Sequence, residues 1–411
     1  MWDRVEAHRL SNAIGAIAAR GEPIRYDGGL PEPHTDEQRA AASLYAQAAE
    51  LAYERDVDEN HRASRLDVDA PGGTEIPLDE VRSNYRGNDS ILPLLDRATP
   101  MDFHGFDTEQ RRDDTFQQSR LETGLTDLGL FACLRADLAS LSSDADTAVA
   151  ALVPAIRLQR TLYGSSYRSR HGVRILGSLR IFFRHTQPSS SALATLQRAF
   201  DSWPEEDTLR RSTLLDRARY IEISAGQPFP GAGPAIARVL FHPMWLASAR
   251  RTLAAYDEPI VTARRPWAER WPIIEHHQRE TMQQFVRQRS AGWFARSTDP
   301  FKAPFVWNSS RITDAAYDLA ARRVAALAVS TERSRRAHDG ALPASVNAPE
   351  DPFSGRPLIY KKDTDGYLIY SVDVNRKDDG GIMYGFGAAQ AMHVGPQSRR
   401  DFGIRVPAPV K

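Results

Sequence analysis

From Trp2 to Ser290 the apolar residues return at the spacing of an α-helix, and no alternating strand pattern rises above noise before residue 356. That periodicity restricts the first three quarters of the chain to packed helices. Trp2–Ala19 carries Val5, Leu10, Ile14 and Ile17 in helical register and stops at Gly21-Glu22-Pro23. Residues 21–34, rich in Pro and Gly, read as a connector. Thr35 and Gln38 fit a capping box, after which Leu44, Tyr45, Ala48, Leu51 and Ala52 form one stripe. The acidic residues 56–77, broken by Pro71-Gly72-Gly73, read as a loop, and Leu78–Ala98 as a helix pair or a helix kinked at Pro93. Further helices are expected over Thr115–Leu141, Thr147–Tyr163, Val173–Arg184, Ser189–Trp203, Asp207–Ile223, Ala235–Tyr256 and Trp267–Ser290.

Helices of this length with short connectors imply stacked antiparallel pairs. The expected class is mainly α: an irregular helical-hairpin array, solenoid or bundle, with a small C-terminal α+β module. Leu94-Leu95-Asp96-Arg97-Ala98 recurs as Leu214-Leu215-Asp216-Arg217-Ala218, but at no fixed period, so no named repeat is assigned. The expected domains are a helical body over 1–300, with 35–141 and 142–300 as subregions, and a module over 309–411.

Composition narrows the function classes. The 53 basic and 53 acidic residues cancel, so no global field draws the chain to nucleic acid or a membrane surface. Cys133 is the single cysteine, which excludes an internal disulfide and any multi-cysteine metal site. Within an apolar helical pattern it reads as a small core residue. No apolar run is long enough to span a bilayer, and Met1–Arg20 lacks a signal-peptide core. The chain also reads as a fragment or alternative start of a protein anchored upstream.

The C-terminal quarter changes character. A helix is expected from a cap at Ser309 or Ser310, with Ile312, Ala316, Leu319, Ala320, Val324 and Leu327 on its apolar face, ending at Asp339-Gly340. Asp351-Pro352 and Ser354-Gly355 punctuate a turn. Leu358-Ile359-Tyr360 and Tyr367–Val372 then read as a hairpin, closed by Asp363-Thr364-Asp365-Gly366. Asp373, Asn375, Asp378 and Asp379 follow in a loop ending at Gly380-Gly381, and residues 401–406 can form a third strand.

The succession of helix, Gly340-Ala341-Leu342-Pro343, Asp351 to Gly355, hairpin with Leu368-Ile369-Tyr370-Ser371, and Asp378-Asp379-Gly380-Gly381 resembles the C-terminal part of the major pseudopilins of type II secretion. It is closer still to uncharacterised bacterial proteins that attach such a module to a helical region. The likeness spans about residues 312–406. It implies a loop that binds calcium through carboxylates and main-chain carbonyls, with Asp373, Asn375, Asp378 and Asp379 standing in it, and an extracytoplasmic or envelope-associated protein. Asp373 and Arg376 lie where glycine is common in that family. The family's N-terminal processing site and apolar helix are absent from this sequence, so assembly into a pilus is not implied.

Independently of that likeness, Asp and Asn clustered with glycines supply hard oxygen donors of the kind calcium requires, and a solvated turn is the alternative. The spacing is not that of an EF-hand. Elsewhere, His276 and His277 with Glu280 form a potential half-site for a transition metal, or a solvated helix face. Residues 147–200 hold no Asp or Glu but eight arginines, among them Arg157, Arg160, Arg174, Arg180 and Arg184. Without interleaved aromatics these are expected to pair with acidic segments such as 54–69 or with neighbouring helices, not with nucleic acid. Trp267 and Trp271 are expected to pack between domains. No phosphate loop, dinucleotide fingerprint, nucleophile elbow or zinc-protease motif is present. The expected function is a non-catalytic scaffold that engages a protein partner, with no small-molecule substrate identified. The alternative is a hydrolase whose arginine-rich helices hold an anionic substrate.

Overall fold

The computed structural model describes residues 2–25, 33–54, 90–103, 106, 115–162, 171–203, 208–226, 235–290, 309–364, 366–382 and 401–407. The helices are α1 (Trp2–Ala19), α2 (Asp36–Tyr53), α3 (Leu92–Ala98), α4 (Thr115–Leu141), α5 (Ala145–Leu162), α6 (His171–His185), α7 (Ser190–Asp201), α8 (Thr208–Gly226), α9 (Ala235–Ala255), α10 (Asp257–Thr262), α11 (Trp267–Ser290) and α12 (Ser309–Ala337). Strands β1 (Ile359–Asp363), β2 (Gly366–Ser371) and β3 (Phe402–Pro407) form one antiparallel sheet in the order β1-β2-β3. The protein is thus mainly helical with a small C-terminal sheet. The loop expected over 56–77 and the first part of Leu78–Ala98 lie outside the described residues.

Two compact units share the chain. One comprises Met1–Gly29, Gly164–Ser166 and Glu206–Thr313; the other comprises Leu30–Tyr163, Tyr167–Glu205 and Asp314–Lys411. In the first, α1 lies on α9, and Leu10 and Ile17 join Ile221, Trp245, Leu246, Ala249 and Leu253 in its core. Arg217 in this unit is fully enclosed and donates to Glu22 (2.7 Å) and Asp257 (3.2 Å), so its charge is compensated on two sides.

The second unit packs α4 against α2, α5 and α6, and sets β3 on α6. The capping box forms: Thr35 Oγ1 accepts from the Gln38 amide at 3.1 Å, and Gln38 Oε1 accepts from the Thr35 amide at 3.3 Å. The stripe it starts buries Leu44, Tyr45, Ala48 and Ala52 against Phe103, Phe106, Leu125 and Leu128. Gly124 admits the close approach of α4 to α2, since a Cβ there would stand 2.1 Å from the Ala49 carbonyl oxygen.

The sequence boundary near residue 300 does not follow these units. Asp318 on α12 is buried, and its Oδ1 accepts from Gln159 Nε2 on α5 (2.5 Å) and from the Gly172 amide in the first turn of α6 (3.0 Å). A carboxylate from a remote helix therefore serves the N-terminus of α6, where unpaired amides attract negative charge. Such a bond ties the C-terminal quarter to the preceding helices, which sequence periodicity does not register.

Candidate functional site

The C-terminal sheet forms because β2 is rich in aromatic and β-branched residues, and both of its faces are covered: every residue from Gly366 to Ser371 is buried. Ile369 pairs with Tyr360 on one side and Ile404 on the other. The Tyr367 hydroxyl donates to the Ala328 carbonyl on α12 at 3.2 Å. Tyr317, also on α12, lies between Phe353 (ring centroids 4.9 Å apart) and Phe402 (5.5 Å).

Two carboxylates organise the segments around this sheet. Asp351, only 1% exposed, accepts four hydrogen bonds. Its Oδ1 takes the Phe353 amide (3.0 Å) and the Ser371 hydroxyl (2.7 Å); its Oδ2 takes the Val372 amide (3.1 Å) and the Ser354 hydroxyl (3.0 Å). The turn at 351–355 is thereby joined to the end of β2. Asp401, just before β3, accepts from the amides of Asp379 (3.2 Å) and Gly381 (2.7 Å), while its own amide donates to the Ile382 carbonyl (2.7 Å). Burial pushes the Asp401 carboxyl up to about 6, against the amide hydrogen bonds that favour its charged form.

The four residues singled out in the sequence occupy the span between these anchors. Asp373 is buried and turned inward: its Oδ1 accepts from the Tyr317 hydroxyl and from the Val374 amide, and burial raises its carboxyl to about 6. Asn375 Nδ2 donates to Asp379 Oδ2 at 2.7 Å, so these two are brought together. Asp378 Oδ1 accepts from the Tyr370 hydroxyl and the Gly380 amide, both at 2.9 Å, with Lys361 Nζ 3.7 Å from Oδ2. Partial burial works against its charge, yet these bonds hold Asp378 below the ordinary carboxylate range. Asp373 (φ 61°) and Arg376 (φ 56°) adopt the left-handed backbone that glycine tolerates best, as do Gly380 and Gly381.

In kind, the side-chain donors of this loop are the hard carboxylate and amide oxygens that calcium takes. Among the described residues, however, no group of three or more His, Cys, Asp or Glu side chains is arranged to hold a metal ion. Asp373 stands apart because its carboxylate is engaged by α12, a contact that no local spacing encodes. Asp351 and Asp401, which organise the loop, read in the sequence only as a turn residue and a strand start. For Asp351 a signal existed: an Asp two and three residues before Phe353 and Ser354 is the pattern of an Asx turn.

The other candidates resolve differently. His277 Nε2 lies 2.9 Å from Glu258 and its Nδ1 3.5 Å from Glu280, on exposed surface of the first unit. Trp267 and Trp271 are buried within that same unit, ring centroids 5.8 Å apart, with the Arg270 guanidinium 4.5 Å from the Trp267 centroid. Burial raises the Cys133 thiol to about 12, as suits a core residue.

The arginine-rich stretch turns largely into the fold. Arg157 donates to the carbonyls of Thr99 (2.6 Å) and Met101 (3.1 Å), and Arg160 to that of Phe103 (2.5 Å). Arg174 pairs with the buried Asp137, and Arg180 donates to the Gly403 carbonyl on β3. Most of these partners are backbone oxygens, which a charge count along the sequence does not reveal. No helix among the described residues is long and apolar enough to cross a membrane. No family model, curated protein or solved structure matches the chain.

Proposed function

We propose that the protein is a non-catalytic interaction protein of the bacterial envelope, in which an irregular helical array carries a pseudopilin-like C-terminal module stiffened by calcium. The observation that carries this reading is the loop after β2. Two non-glycine residues there, Asp373 and Arg376, hold a left-handed backbone while Asp351 and Asp401 anchor the loop from either end. Such backbone costs about 1–2 kcal/mol per residue and persists where the surroundings over-determine it, commonly at binding loops. Asn375, Asp378 and Asp379 would supply the ion's side-chain oxygens, with main-chain carbonyls of the loop completing its shell. Asp373 would join them only on releasing the Tyr317 hydroxyl. The bound ion would supply charge neutralisation and a fixed loop conformation, which suits a surface that another protein reads.

The test is a thermal melt of the full chain in millimolar calcium and in chelator. An ion bound only by the native loop adds about 2.7 kcal/mol at a hundredfold excess over Kd. Asp378→Asn and Asp379→Asn should reduce the calcium-dependent shift; Asp363→Asn, whose carboxylate is engaged by Thr364 in the hairpin turn and by Arg405 on β3, should leave it intact. Magnesium should substitute poorly, since it demands a tighter octahedral shell. Identical melts in calcium and chelator would remove the ion from this reading.

A further inference from the structure

In the first unit, helix α11 buries Trp267 and Trp271 in its opening turns and reaches the surface at His276. His276 and Glu280 are four residues apart and His277 and Glu280 three, so both imidazoles reach one carboxylate. His276 Nε2 lies 3.5 Å from Glu280 Oε1, and His277 Nδ1 lies 3.5 Å from Oε2. The other ring nitrogen of His277, Nε2, lies 2.9 Å from Glu258 Oε1 on α10. Two imidazoles and two carboxylates therefore gather at one place on this surface.

The partners of His277 fix its hydrogen-bonding roles. The Glu258 carboxylate accepts, so Nε2 carries the proton and Nδ1 turns its lone pair toward Glu280 Oε2, a second acceptor. Two acceptors facing each other beyond hydrogen-bond reach need positive charge between them. A proton on Nδ1 meets that need for His277 alone. Protonating His276 as well sets two imidazolium charges, with ring centroids 5.4 Å apart, on a single carboxylate. A divalent ion serves both nitrogens at once and balances Glu280 and Glu258 together. Among the described residues, neither carboxylate pairs with an arginine or lysine that would do so instead.

We propose that His276 Nε2, His277 Nδ1 and the Glu280 carboxylate bind a zinc ion, with Glu258 orienting His277 from behind. The 3.5 Å separations are close to the ligand-to-ligand edge of a tetrahedral zinc site, about 3.3 Å for bonds of about 2.0–2.2 Å. As the side chains stand, the donors do not all meet at one point. His276 and Glu280 are 61% and 52% exposed, so turning their side chains onto the ion displaces no packed neighbour. The donor types select the metal: imidazole nitrogen disfavours calcium and magnesium, which take oxygen, and the absence of thiolate disfavours copper(I). Zinc imposes no geometry of its own and accepts such a set, and three protein ligands leave a position open to water or to a donor from another molecule. Glu258 takes the part a carboxylate commonly plays behind a zinc-bound histidine: it fixes the tautomer and makes the ligating nitrogen more basic. The site goes beyond the calcium-stiffened module and shares no residue with it.

The experiment is isothermal titration of the full chain, stripped with chelator and then freed of it, with zinc chloride. Saturable uptake of one ion per chain is expected, and millimolar calcium should not compete. His276→Ala, His277→Ala and Glu280→Ala should each abolish that uptake, while Glu258→Ala should weaken it about tenfold to a hundredfold, as loss of an orienting partner does. His338→Ala, an exposed histidine on α12, should change nothing. Metal-free melts matching the parent chain would show each variant folded; His276→Ala and Glu280→Ala alter exposed side chains and are the decisive pair. Absence of saturable zinc uptake, uptake unchanged in either decisive variant, or an equal loss in His338→Ala would overturn the proposal.

Discussion

Replacing Asp351 is expected to loosen the C-terminal module more than any other single change in the 351–381 segment. Its carboxylate is the acceptor for the buried amides of Phe353 and Val372 and for the enclosed Ser371 hydroxyl, with Ser354 as a fourth, less buried donor. Each buried group left without a partner costs about 1–3 kcal/mol. Asp351→Ala orphans three of them, while removing a buried charge returns part of that sum. The net loss is expected to be about 3 kcal/mol, by analogy with the cost of breaking other buried charged networks. Asp351→Asn keeps the shape but turns an N–H group toward one pair of donors, so it should be nearly as harmful. Ser371→Ala removes a single bond and should cost about 1 kcal/mol, and Ser354→Ala less. Urea unfolding followed by the near-ultraviolet signal of the tyrosines would rank the variants. Amide exchange at Val372 and Phe353 would show whether the damage is local. An Asp351→Ala protein within about 1 kcal/mol of the parent, or one no worse than Ser354→Ala, would refute the assignment of Asp351 as the module's central acceptor.

Asp318 makes stability depend on pH. Burial raises its folded-state carboxyl from 3.8 to about 6, so the folded protein takes up a proton more readily than the unfolded chain. The stability this contributes is fully present below pH 3.8 and is lost as pH rises through about 6. Denaturant melts between about pH 4 and 8 should show a decline of about 2 kcal/mol from this group, and Asp318→Asn should flatten it. An unchanged pH profile in Asp318→Asn would contradict the assignment. Gly124→Ala should destabilise the second unit by about 2–3 kcal/mol despite the better helix propensity of alanine, because the Ala49 carbonyl cannot move aside cheaply. A neutral result in a thermal melt would mean that α4 and α2 separate without penalty.

What the sequence determined by itself was local. Helical periodicity placed α2, α4, α5 and α12 within a few residues of their ends, because a 3.6-residue repeat of apolar side chains can bury its stripe in only one conformation. The Thr35–Gln38 capping box and the hairpin from Ile359 to Ser371 were equally legible, since caps and turns are written in adjacent residues. The tertiary structure alone decided which helices share a unit. Asp318 meets Gln159 and Gly172 across 159 and 146 residues of sequence, and Arg180 meets Gly403 across 223. It also decided that the Asp373 carboxylate meets the Tyr317 hydroxyl on α12, and that Asp351 and Asp401 hold that loop's ends. Periodicity states that a helix has a buried face, while the partner of that face follows only from the energy of packing every stripe and satisfying every buried charge at once.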